Sequence, residues 1–199
     1  HTHTHTHTHA RARTHTHTPV CTYVYQVAKV SIAPRGNAGG LTVMAPDEDR
    51  LDSGLVSRHF LESQLMVALG GRVAEELVFG GQQITTGASN DLEKVAATAR
   101  MMVTRFGLSE KLGHVTYADD QPRSQATCSL IDAEVEALVK TAHSRAKLLL
   151  SDNRSVLAAV AGLLLEQETV TAVELEQLML QGNVVLPALR DPSLESYDF

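Results

Sequence analysis

The spacing of apolar positions along this chain changes period near Leu51. From Val20 to Ile32 (VCTYVYQVAKVSI) β-branched and aromatic residues dominate, which predicts one or two strands. Pro34-Arg35-Gly36 and Asn37 to Gly40 read as turns, and Leu41 to Ala45 returns as a second short strand, so a hairpin is expected. After the acidic loop Pro46 to Arg50 the spacing becomes helical. Leu55, Phe60, Leu61, Leu65, Leu69 and Val73 fall on one stripe, continued by Ala74, Leu77 and Val78. Gly70-Gly71 sits inside that stripe at about 1 kcal/mol per glycine relative to alanine. That cost predicts close approach by another backbone, or a helix break. The helix is expected to close at Phe79-Gly80-Gly81.

A second helix is expected from Asp91 to Phe106, stopped by Gly107. Val95, Ala99, Met102, Val103 and Phe106 would face the core, with Arg100 and Arg105 outward or near carboxylates. Leu108 to Asp120 reads as a loop with one short strand, His114 to Tyr117, and Gln121 to Thr127 as a mobile stretch. Three more helices follow. One runs from Ser129 to Leu150, with Ile131, Val135, Leu138, Val139, Ala142, Ala146 and Leu149 on one face. The next spans Asn153 to Gln167, and its apolar run Val156 to Leu165 suits a buried helix. The last, Thr171 to Leu180, opens with a Thr171-x-x-Glu174 capping box. Gln181 to Phe199 carries two prolines and no periodicity, which makes it a tail. The fold class is therefore mainly α: about five helices with a small β-hairpin near the N-terminus.

Composition narrows the function classes. Trp is absent and aromatics are scarce, so aliphatic and alanine packing must build the core. A net charge of -6 argues against nucleic acid as a partner. Cys21 and Cys128 show no metal-type spacing and no disulfide framework, which points to a reducing compartment. No apolar run approaches the roughly 20 residues of a membrane span. Residues 1–18 are a His/Thr repeat that cannot bury apolar surface and is expected to be disordered. The repeat is what a CA dinucleotide tract would encode. Its His-x-x-x-His pairs, such as His5 with His9 or His3 with His7, are weak metal candidates. The chain starts with His rather than Met and is read as a fragment, or as carrying an aberrant start. The expected division is a low-complexity segment over 1–19, a folded domain over 20–180 and a disordered tail over 181–199.

The stretch between the first two helices carries the candidate chemistry. Thr85 to Asn90 is a small, hydroxyl-rich turn, and Asp91 falls in the first turn of the following helix, where the dipole favours a negative charge. Asn90 with Glu93 forms a capping-box pattern, so a plain helix start is the simplest expectation.

The order of motifs resembles the C-terminal peptidase domain of the FtsH family, the membrane-anchored AAA zinc proteases. The matching text is KVSIAPRGNAGGLTVMAPDEDR (Lys29 to Arg50) and SRHFLESQLMVALGGRVAEELVFG (Ser57 to Gly80). ITTGASNDLEKV (Ile84 to Val95) and ARMMVTRFGLSEKLG (Ala99 to Gly113) follow. The AGGLTVMAPDEDRLDSGLVSR stretch looks most like the chloroplast thylakoid members; a mitochondrial or bacterial inner membrane is the alternative. The resemblance implies a zinc site of two His from an H-E-x-x-H helix and an Asp that corresponds to Asp91. Zinc would lower the pKa of a bound water to about 7, and the Glu between the His pair would take its proton. Glu75 and Glu76 would then orient ligands, or else be a salt-bridged helix face.

This sequence departs from that pattern. It contains no H-E-x-x-H, whose register falls at about Ala10 to Thr14, inside the repeat. A catalytic base is therefore absent, and Asp91 is the one metal ligand the resemblance transfers. There is also no G-x-x-x-x-G-K-[ST] loop, so ATP would act only through a domain these residues do not include, and a membrane anchor likewise. The resemblance implies protein substrates and like subunits in a hexamer. Two readings follow: a truncated subunit of an ATP-dependent zinc metalloendopeptidase that degrades membrane and unfolded proteins, or a proteolytically dead structural subunit of such a ring.

Overall fold

The structure, a computed structural model, describes residues 26–33, 40–45, 55–117 and 122–184. Strands β1 (Gln26–Ser31) and β2 (Leu41–Ala45) form the expected antiparallel hairpin, with a register shift between Val27 and Lys29. Five helices lie among the described residues: α1 (Arg58–Phe79), α2 (Ser89–Thr104), α3 (Gln125–Asp152), α4 (Arg154–Gln167) and α5 (Ala172–Gln181). A third strand, β3 (Thr169–Thr171), was not foreseen. It pairs antiparallel with β1, so the sheet order is β2-β1-β3. Thr169 and Thr171 supply β-branched side chains, but the pairing depends on a partner 138 residues away, where the Thr169 hydroxyl meets that of Ser31 at 2.8 Å.

The core is a three-helix layer. Leu61, Leu65, Leu69 and Val73 of α1 pack with Val95, Ala99 and Met102 of α2 and with Ala142 and Ala146 of α3. Val135, Leu138 and Val139 of α3 close its margin. A second cluster joins Val103, Leu112 and Ile131. Full burial of one such aliphatic side chain contributes about 1.5–3 kcal/mol. The exposed ion pairs around the layer, Arg145 with Glu62 at 3.1 Å and Arg100 with Asp132 at 2.9 Å, contribute about 0–1 kcal/mol each. Apolar packing therefore sets the arrangement.

Several boundaries differ from the expectations, each for a local reason. The first helix begins at Arg58, because the Ser57 hydroxyl accepts the Phe60 N–H at 3.2 Å, and Leu55 stays outside it, 81% exposed. Gly70 and Gly71 neither break α1 nor meet another backbone; nothing lies within 4 Å of where a Cβ would stand. Helix α2 ends at Thr104, so Phe106 turns outward and is 48% exposed rather than in the core. His114 to Tyr117 forms no strand. The Tyr117 N–H instead donates to the Thr104 carbonyl at 2.7 Å, and the nearby bridge joins Ser109 with Gly113. Gln125 to Thr127 is the first turn of α3, capped by Ser124, not a mobile stretch; Gln121 lies outside the described residues.

Helix α4 turns 77° from α3 at Asn153, whose side chain donates to the Leu149 carbonyl at 2.8 Å. Its apolar run is not buried: Val156 is enclosed, while Leu165 is 77% exposed. Among the described residues no single helix is long and apolar enough to cross a membrane. The Thr171–Glu174 capping box forms as expected, with the Thr171 N–H and hydroxyl both on the Glu174 carboxylate. The repeat over 1–19, with its His pairs, and the tail beyond Val184 lie outside the described residues.

Two glycine substitutions separate tight from open packing. A Cβ on Gly182 would collide with Val156 at the join of α5 and α4. Gly182→Ala is expected to destabilise by about 1–3 kcal/mol in a urea melt. Gly71→Ala, in open space within α1, is expected to stabilise by about 0.5–1 kcal/mol. A destabilising Gly71→Ala would show that something does cover that face.

Candidate functional site

The site is the crossover from α1 to α2. Helix α1 ends where Gly80 takes φ 79°, a left-handed turn that favours glycine, with its N–H on the Glu76 carbonyl. The chain reaches Thr85 and then makes a 3-10 turn, Thr86–Ala88, that runs directly into α2. The Thr85 hydroxyl caps this turn by accepting the Gly87 N–H at 3.2 Å. The expected Asn90–Glu93 capping box is not the device used. The helix begins at Ser89, its N-cap position is Ala88, and no side chain caps it.

A side chain from the preceding helix instead holds the turn before it. One oxygen of Glu75 accepts the Thr85 N–H at 2.9 Å and the other accepts the Thr85 hydroxyl at 2.8 Å. Two hydrogen bonds to one carboxylate, at the positive end of a helical segment, favour its charged form. The Thr85 N–H first, then its hydroxyl, hold Glu75 below its ordinary value of 4.5. Asp91 stands in the first turn of α2, 47% exposed, with Oδ1 on the Lys94 ammonium at 3.0 Å.

The neighbouring acid has a different task. Glu76 faces α3, where His143 Nε2 lies 3.1 and 3.2 Å from its two oxygens and Lys147 Nζ lies at 3.9 Å. The adjacent glutamates thus divide: Glu75 holds the loop and Glu76 fastens α1 to α3. Neither partner follows from the spacing of the two acids along the chain. The Glu75–Thr85 bond joins residues ten apart on different elements, a separation that no local spacing rule marks.

Zinc, which the resemblance implies, was tested against this donor set. Asp91 offers a carboxylate, a chemistry that suits a divalent cation. Among the described residues, however, no group of three or more His, Cys, Asp or Glu side chains stands close enough to hold a metal ion. The described residues therefore do not fit a zinc ion on their own: the structure places one candidate donor and no imidazole pair beside it.

A β-hairpin followed by helices, with the hydroxyl-rich loop between the first two clamped by Glu75, is the frame on which the family assignment rests. Residues 5–178 match the family model described as Peptidase family M41, and the chain belongs to that family. It is 49% identical over 176 residues to ATP-dependent zinc metalloprotease FtsH 3 of Synechocystis sp. (strain ATCC 27184 / PCC 6803 / Kazusa), covering 82% of this chain and 29% of that protein. It is 47% identical over 173 residues to ATP-dependent zinc metalloprotease FTSH 1, chloroplastic, of Oryza sativa subsp. japonica. The same identity holds against FTSH 5, chloroplastic, of Arabidopsis thaliana, and in both cases 80% of this chain and 25% of the relative are covered. The chain thus spans between a quarter and three tenths of the length of these relatives.

Three carboxylates give the domain a common acid response. Glu75 is held down by Thr85, Glu134 by the Lys111 ammonium and the Ser109 hydroxyl, and Glu174 by the Thr171 N–H and hydroxyl. Each is depressed in the folded state, so the unfolded chain binds more protons just below the ordinary value of 4.5. Their stabilisation is full above that pH and is lost as pH falls through the depressed folded values. The urea midpoint is expected to decline below pH 4.5, and Glu134→Gln, removing a carboxylate only 14% exposed, to flatten that decline. An unchanged slope in Glu134→Gln would contradict the assignment.

Proposed function

We propose that this chain is a peptidase-domain subunit of an ATP-dependent zinc metalloendopeptidase assembly that acts on membrane and unfolded proteins. The supporting observation is the family match over residues 5–178 together with a loop that presents Asp91 from a clamped helix start. In this reading Asp91 is the third zinc ligand, residues 20–180 are the peptidase domain, and the partners are like subunits in a hexameric ring. The ATP and membrane functions belong to regions of such an assembly outside these 199 residues. Relatives named as chloroplastic support a chloroplast location, with the thylakoid membrane as the specific proposal.

The polypeptide does not itself hydrolyse peptides in this reading. Its sequence contains no H-E-x-x-H, so it has no carboxylate placed between two imidazoles to take a proton from water. The alternative reading is a proteolytically dead structural subunit of such a ring.

Purified chain with added zinc is expected to leave unfolded casein intact and to co-purify with a catalytically competent M41 subunit when the two are expressed together. Casein cleavage that a chelator stops and Asp91→Ala abolishes would overturn the inert reading. Failure to associate with any M41 subunit under conditions where that subunit assembles would overturn the subunit reading.

A further inference from the structure

We infer that Glu75 is a positioning residue for Asp91, acting from α1 through Thr85 on the turn that leads into α2; the inference deepens the reading of Asp91 as a functional carboxylate and rests on it. A helix start normally fixes itself, with a side chain at the N-cap that bonds an N–H one turn on. Ala88 occupies that position here and supplies no such bond. The start of α2 is specified through Thr85, which stands at the entry to the 3-10 turn and passes on a constraint it receives from elsewhere. Its hydroxyl accepts from Gly87 while donating to Glu75, and its N–H donates to Glu75 as well.

The geometry gives this chain of bonds a direction. Glu75 belongs to α1, whose Leu65, Leu69 and Val73 are anchored in the core, so its backbone is held in place. The turn Thr86–Ala88 continues without interruption into α2, where the Ser89 N–H bonds the Thr86 carbonyl. Asp91 follows two residues later. Freeing Thr85 would let the turn and the first turn of α2 fray, and Asp91 with them. Residues from Val95 onward would remain held by the apolar layer. The Asp91–Lys94 pair cannot replace the clamp, because both partners sit on α2 and move together.

Backbone amide exchange in the full chain tests the inference, with Glu76→Ala as control because Glu76 bonds α3 and not the loop. Glu75→Ala is expected to raise exchange at Thr85, Gly87 and Asp91 by about tenfold or more over wild type, while Val95 to Val103 stay unchanged. Glu75→Gln offers one acceptor oxygen in place of two and is expected to restore part of the protection. Thr85→Val, which removes the hydroxyl and keeps the N–H, should fall between. Unchanged exchange in Glu75→Ala, or an equal rise in the loop and at Val95 to Val103, would overturn the inference.

A second variant separates this from the role of Asp91. Asp91→Asn is expected to leave exchange at Thr85 and Gly87 at the wild-type rate, because Asp91 pairs with Lys94 on its own helix and not with the clamp. A rise there as large as in Glu75→Ala would overturn the inference.

Discussion

Ala99, Ala142 and Ala146 are buried where α1, α2 and α3 meet, and their small side chains let Leu65 and Leu69 fill the space between the helix axes. This match of large against small sets the separation and tilt of the three helices, because a packed interior tolerates neither voids nor overlap. Everything else is placed relative to it. The end of α1 and the start of α2 come together because Val73 and Val95 are both enclosed. That proximity brings the Glu75 carboxylate within reach of Thr85. The loop geometry at the candidate site is thus a result of aliphatic packing, refined by hydrogen bonds.

The adjacent glutamates illustrate how one helical step divides labour. Residues one apart on a helix point about 100° from each other. Glu75 therefore meets the loop while Glu76 meets His143 and Lys147 on α3. One acid fixes the loop and the other reinforces the helix pair beneath it.

Much of the fold was legible in the sequence because it rests on local periodicity. The stripe Leu61, Leu65, Leu69 and Val73, the face of α3, the hairpin and the Thr171–Glu174 box all depend on residues a few positions apart. What was missed depended on distant partners. Thr169 to Thr171 became a strand only because β1 lies beside it. The Asn90–Glu93 pattern was read as the cap of α2, but a carboxylate from the previous helix holds the turn instead. Gly70-Gly71 was expected to mark a contact or a break and marks neither. Leu55 and Phe106 fitted the helical spacing, yet capping and termination left them outside it. At the site, Asp91 came from motif resemblance, and nothing in local spacing could supply the partner of Thr85.

The pairing of β1 with β3 has a consequence for how the molecule assembles. Ser31 and Thr169 close a loop of 138 residues, and closing a flexible loop costs entropy that grows with the logarithm of its length. Most of that loop is α1 to α4. Once the helices have packed, the span to be closed is the short distance across a rigid body rather than a long random coil. The three-residue strand β3 is too small to bear the full closure cost alone. The packed helical layer therefore carries most of the closure cost of the β1–β3 pairing, whereas the β1–β2 hairpin closes over a local turn and spans none of it.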